Sequence, residues 1–178
     1  MTTISKSFEN RFINYLLELS QGQQRGELAV LRRGLSQPPA NDVAMYPYVA
    51  RFIPEKLRGS STEKVYYLIA ALFAYHPLNT LQGNFGAHMH AAANEANQES
   101  TERRFVVLLN AHVDDLPDYL RQAVSYLKSK EIAVNWEALF NDLKQWSHPN
   151  RYIQRRWANS FWGYAPVDSE NINQTVNQ

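Results

Sequence analysis

The stretch Arg103–Lys128, RRFVVLLNAHVDDLPDYLRQAVSYLK, decides how the rest of the chain is read. Phe105, Val106, Leu108, Leu109, His112 and Val113 recur at spacings of three and four, which predicts a helix with a broad buried face and places His112 in the core. An acidic turn follows. Asp114 and Asp115 are expected to cap the next helix, Pro117 is tolerated in its first turn, and Leu116, Leu120, Ala123, Val124 and Leu127 make a second apolar stripe. The expectation is an antiparallel helix pair, opened by Arg103 and Arg104 and decorated by Arg121, Lys128 and Lys130.

Working outward, the remaining segments repeat the helical pattern. Phe8–Ser20 carries Phe8, Phe12, Tyr15, Leu16 and Leu19 on one side, and Gly22 ends it. A second helix over Gln24–Arg33 is stopped by Gly34, Pro38 and Pro39. Asn41–Pro54 reads as a short helix starting near Pro47. After the basic linker KLRGSST, Ser60 and Glu63 form a capping box for a nearly all-apolar helix that runs to Tyr75 and stops at His76 and Pro77. Asn84–Ala96 is alanine-rich and predicted helical, with small side chains suited to close helix approach or to a loose surface helix. Asn94–Ser100 reads as a loop. In Ile132–Ser147, Trp136, Leu139, Phe140, Leu143 and Trp146 keep helical spacing behind an Asn135 cap. A last helix over Asn150–Trp162 buries Ile153, Trp157 and Phe161. No hairpin, βαβ pattern or internal repeat is evident. The fold class expected is all-α, a compact multi-helix bundle with a basic surface face. Residues 1–164 form the helical domain, divisible into N-terminal and C-terminal halves, and 165–178 form a flexible tail.

Bulk composition narrows the function classes. The 178 residues suffice for one cored domain, and 44% apolar content argues against disorder. The chain contains no cysteine, which excludes disulfide scaffolds and thiol chemistry and fits a reducing compartment. No apolar signal or membrane-spanning run is seen, so a soluble cytoplasmic protein is expected. Eighteen basic residues against 17 acidic ones give a net charge of +1, so charge distribution matters more than the sum. The acids gather between Glu95 and Asp118. Arg25, Arg32, Arg33, Arg51, Lys56, Arg58, Arg151, Arg155 and Arg156 lie in basic stretches, and arginine grips phosphate with a planar fork of donors.

Enzymatic motifs are missing. His88 and His90 diverge on a helix, there is no HExxH, GxSxG, phosphate loop or dinucleotide fingerprint, and neither metal nor cofactor is expected. Asp114, Asp115 and Asp118 have the residue types for a metal-dependent hydrolase or nuclease, but a helix start already explains carboxylates there. Trp136, Trp146 and Trp157 keep core spacing. The unopposed pairs Arg32–Arg33 and Arg155–Arg156, the second without an acidic neighbour within its helix, point to sequence-independent attraction to phosphate.

In order, LAVLRRGLSQP, MYPYVARFIP, GNFGAHMHAAA, ERRFVVLLNAHVDDLPDYLRQAVSYLKS, VNWEALFNDLKQW and RRWANSFWG resemble the Cse2 (CasB) family, the small subunit of the type I-E CRISPR Cascade surveillance complex. The resemblance spans Phe8 to Trp162. It implies an all-helical, non-enzymatic protein of antiviral defence. Two copies would lie head to tail and contact the Cas7 backbone and the large subunit. They would help stabilise the R-loop formed when crRNA pairs with target DNA, in part through the displaced strand. By the same resemblance Arg32 and Arg33 match the N-terminal basic pair, Arg103 and Arg104 the pair opening the C-terminal helices, and Arg121 a basic position after the acidic turn. Arg151, Arg155 and Arg156 are candidates in the closing helix. Where the family commonly carries arginine, this chain has His88 and His90, and a neutral imidazole adds little phosphate attraction. A purely architectural subunit remains the alternative.

Overall fold

The computed structural model describes residues 3–22 and 24–163, with side chains from Arg11 onward. The described residues form nine α-helices: α1 Thr3–Gln21, α2 Arg25–Arg33, α3 Tyr46–Val49, α4 Ser61–Tyr75, α5 Phe85–Ala92, α6 Gln98–Leu109, α7 Leu116–Ser129, α8 Trp136–Leu143 and α9 Tyr152–Trp162. Extended pairing among them is limited to one isolated bridge between Asn79 and Val134. The all-α expectation therefore holds. Phe8 and the segment 165–178 expected to be a tail lie outside the described side chains and residues.

α4 is the central helix, as its composition predicts. Every residue from Tyr66 to Ala74 is buried, so the segment has no solvent face to make polar. Its start is fixed locally: the Ser60 hydroxyl accepts from the Glu63 amide at 3.3 Å, while the Glu63 carboxylate accepts from the Gly59 amide. That reciprocal arrangement satisfies one open amide of the first turn and the Gly59 amide just ahead of the cap. Around α4, Phe12 of α1, Tyr66 and Phe140 of α8 meet with ring centroids 4.8–5.4 Å apart. α2 also packs on α4, and Gly34 at its end sits where a Cβ would fall 2.2 Å from the Met45 sulfur.

α5 is shorter than expected but settles the choice left open for it. At Gly86 a Cβ would stand 2.0 Å from the Trp157 carbonyl oxygen, so the α5 and α9 backbones touch and only glycine fits. Phe85 packs on Trp157 with centroids 5.0 Å apart, and Trp146 reaches the same ring from 5.1 Å. Trp136, Trp146 and Trp157 are all buried.

The α6–α7 pair is antiparallel: Thr101 near the start of α6 lies 2.6 Å, hydroxyl to hydroxyl, from Tyr126 near the end of α7. Its details correct three expectations. α6 ends at Leu109, so His112 and Val113 lie in the connecting turn and His112 is exposed instead of core. Val106 is also exposed, because the buried face narrows to Thr101, Phe105, Leu108 and Leu109. Asp115 stands at the N-cap of α7 but its side chain makes no capping bond. α6 in turn begins at Gln98 and absorbs part of the segment expected to be a loop.

A short crossing ties the two parts of the chain together. The Thr80 amide donates to the Val134 carbonyl and the Val134 amide to the Leu78 carbonyl, both at 3.1 Å. Next to them the buried His76 Nε2–H donates to the Ile132 carbonyl at 2.7 Å, and the Trp136 indole N–H to the Leu78 carbonyl at 3.2 Å. The Asn135 side chain caps α8 as expected, accepting from the Ala138 amide at 3.0 Å.

Candidate nucleic-acid interface

The antiparallel pair and the end of α2 enclose an open cleft of about 760 Å³ whose walls carry Arg32, Arg33, Arg104 and Arg121 and no carboxylate. Two local causes place them. Arg32 and Arg33 occupy the last turn of α2, where cations complement the helix dipole. Arg104 sits on α6 one position before the buried Phe105 and is therefore turned outward. Arg121 follows the buried Leu120 on α7. The sequence names all four but gives no sign that they converge, since residues 33 and 104 are neighbours only through the packing of α2 and α7 against α4.

The remaining walls are polar and aromatic. Tyr75 and Ser125 hydroxyls lie 3.1 Å apart, and the Tyr126 hydroxyl donates to the Ala92 carbonyl at 3.3 Å. Both rings are already covered by cations: Lys128 Nζ stands 4.0 Å from the Tyr75 centroid and the Arg104 guanidinium 5.4 Å from that of Tyr126. Rings used this way present little free face for a base to stack on. The cleft thus gathers positive charge and hydroxyl donors on walls without a carboxylate. Tyr75, Ser125 and Tyr126 were not named among the candidates, because they carry no charge and only the fold brings them beside the arginines.

The other predicted basic residues are dispersed. Arg25 opens α2, Lys56 lies in the 3₁₀ turn Glu55–Leu57 and Arg58 follows it, all exposed. The Arg51 guanidinium is stacked 4.6 Å from the Tyr15 centroid and 5.1 Å from that of Phe52. Arg103 pairs with Glu99 at 2.7 Å, one turn earlier. Arg155 is exposed on α9. None of these lines the cleft.

Two arginines of the closing segment serve the fold. Arg151 holds a left-handed backbone conformation, φ 48°, at the N-cap of α9, and its Nη2 donates to the Leu109 carbonyl at 2.6 Å, closing the C-terminal end of α6. Arg156 pairs with Asp142 of α8, and the second carboxylate oxygen accepts from the Trp157 indole N–H at 2.6 Å. The Arg155–Arg156 pair is therefore not unopposed. Asp142 is buried, and burial pushes its carboxyl above the usual range while the Trp157 hydrogen bond and Arg156 pull it back. Nothing in the local sequence marks this aspartate, since its partners arrive from a helix more than a turn and a connection away.

The histidines divide by burial. His88 is buried, its Nε2 accepts from the Asn135 amide at 3.0 Å, and burial pushes its proton affinity down to a pKa of about 4. The neutral ring is thus an acceptor that fixes the approach to α8. His76 is likewise lowered, chiefly by burial. Of the acidic trio, Asp114 lies 3.3 Å from His112 and Asp118 lies 3.7 Å from Arg121. Among the described residues no three histidines or carboxylates gather as a metal site, and no helix is long and apolar enough to cross a membrane.

Comparison with known proteins agrees with the order of segments and with the fold. A CRISPR-associated protein Cse2 of Thermus thermophilus is 32% identical over 164 residues, 90% of this chain and 93% of its own length. The crystal structure of a Cse2-family protein from the same organism superposes with a TM-score of 0.76 at 29% identity, covering 87% of this chain and 97% of the other. A chain of a structure described as a CRISPR RNA-guided surveillance complex gives a TM-score of 0.75 at 25% identity, covering 87% and 91%. The family model for CRISPR-associated protein Cse2 matches residues 27–162, a span holding most of α2, all of α3 through α9 and all four cleft arginines, and the chain belongs to that family.

Proposed function

We propose that this chain is a non-catalytic small subunit of the CRISPR Cascade surveillance complex, and that it stabilises the crRNA-guided R-loop by sequence-independent contacts to the backbone of the displaced DNA strand. Complex membership is supported by family identity and by the similarity to a chain of an RNA-guided surveillance complex. The strand-holding role rests on one observation: four arginines from both parts of the chain meet in a single cleft without an opposing carboxylate on its walls. A displaced single strand is flexible, and holding its phosphates lowers the free energy of the open duplex without reading bases.

In this reading residues 1–164 act as one cytoplasmic helical unit whose N-terminal and C-terminal halves meet at the cleft. A second copy placed head to tail would extend the basic track along the complex, beside the Cas7 backbone and the large subunit. Arg25, Lys56, Arg58, Arg103 and Arg155, exposed outside the cleft, are then the candidates for contacts elsewhere along the assembly. Arg51, Arg151 and Arg156 give an architectural reading its specific support, since their guanidinium groups are engaged within the fold.

The test is R-loop lifetime in reconstituted complex carrying Arg32→Glu with Arg33→Glu, or Arg104→Glu. The lifetime should shorten, more so at low salt, with subunit incorporation unchanged. An unaltered lifetime at moderate salt would sink the strand-holding role and leave the architectural one.

A further inference from the structure

Arg121 stands where the basic cleft ends. Its Nη1 donates to the Leu35 carbonyl at 3.2 Å, across the seam between α7 and the turn after α2, and its Nη2 lies 3.7 Å from Asp118 Oδ1. The same residue lines the next stretch of the furrow, about 320 Å³, where the arginines give way to Pro38, Pro39 and Pro117 and to the carboxylates Asp114 and Asp118. Leu35, Ser36 and Arg121 line both stretches, so the two adjoin at the Arg121–Leu35 bond and the charge of their walls reverses there.

A guanidinium offers five donors in one rigid plane. The bond to Leu35 fixes that plane and leaves donors over for an anion on the cleft side. A backbone continuing past this point would bring its phosphates against two exposed carboxylates. We infer that Arg121 is the end clamp of the phosphate track: anchored on the Leu35 carbonyl, it grips one phosphate with its free donors, while Asp114 and Asp118 turn the strand out of the furrow. This rests on the reading of the cleft as a polyanion site. It adds a boundary to that site, and a requirement for the arginine fork that charge alone does not impose.

The experiment uses the full chain and a fluorescent single-stranded oligothymidylate, with affinity measured by anisotropy over a range of salt concentrations. Lysine at position 121 keeps the charge but cannot hold Leu35 and a phosphate in one plane. Arg121→Lys should therefore weaken binding by about five- to tenfold with the salt slope nearly kept. Asp114→Asn with Asp118→Asn should open the furrow and steepen the salt slope by about one unit for each phosphate added to the track. Thermal melting of each variant checks that the fold is intact. Wild-type affinity in Arg121→Lys would overturn the clamp, and an unchanged slope in the aspartate variant would overturn the boundary. Arg32→Glu with Arg33→Glu distinguishes these failures from that of the underlying reading: loss of binding there upholds the cleft, and no loss rejects it.

Discussion

The Asp142 carboxylate of α8 joins two neighbouring residues of α9, accepting from the Trp157 indole N–H at 2.6 Å with one oxygen and pairing with Arg156 through the other. Removing the carboxylate strands a buried indole donor and a half-exposed guanidinium together. Asp142→Ala is expected to lower stability by about 2–4 kcal/mol, the upper part of that range tempered by the exposure of Arg156. Chemical denaturation of the isolated chain measures it, and a loss below about half a kcal/mol would show that the joint is not structural.

At Gly86 the space for a side chain is already taken by the Trp157 carbonyl. Gly86→Ala should cost about 3 kcal/mol or more, despite alanine's better helix propensity, because backbone and not a flexible side chain would have to move. A melting temperature at or above wild type would contradict the close α5–α9 approach.

The buried His88 gives stability a defined pH dependence. Its folded pKa is depressed to about 4 from the ordinary 6.5, so between those values the unfolded chain binds more protons than the folded one. Stability then rises with pH across this window and falls on acidification, with a loss of up to about 3 kcal/mol complete below a pH of about 4. His88→Gln, which keeps an acceptor for the Asn135 amide, should flatten that part of the profile. An identical slope in the variant would assign the effect to other groups.

Arginines that serve the fold and arginines that face the cleft separate by two measurements. Arg151→Ala, which uncaps the Leu109 carbonyl, should lower stability by about 1 kcal/mol and leave the salt slope of oligonucleotide binding unaltered. Arg33→Ala should do the reverse, with a slope shallower by about one unit and little change in melting. A matching loss of slope in both would erase the distinction.

The features legible in the sequence were those set by neighbours three or four residues apart. Ser60 with Glu63 and Asn135 with Ala138 obey local capping rules, and α4 is recognisable because an unbroken apolar run has only an interior to occupy. The stop of α6 at Leu109 was not legible. Asn110, Ala111 and His112 contain no glycine or proline, and the apolar period ran on through Val113 with nothing to interrupt it. The site shows the same split. Residue type nominated Arg32, Arg33, Arg104 and Arg121, but their convergence, like the diversion of Arg151 and Arg156 into the fold, depends on partners supplied by distant helices. Asp142 carried no signal at all, being one exposed-looking carboxylate until α9 covers it.

The crossing near residues 78 and 134 bears on how the chain is made. The Leu78 and Ile132 carbonyls, the Thr80 and Val134 amides and the His88 ring exchange hydrogen bonds between segments more than 40 positions apart. While the ribosome is still adding residues before 132, every one of those groups on the earlier segment waits without its partner. Early-synthesised helices can collapse around α4, yet the loop that follows it is locked only when residues 132–136 emerge. The arginine cleft, which needs α7 in place, is likewise a late product of synthesis.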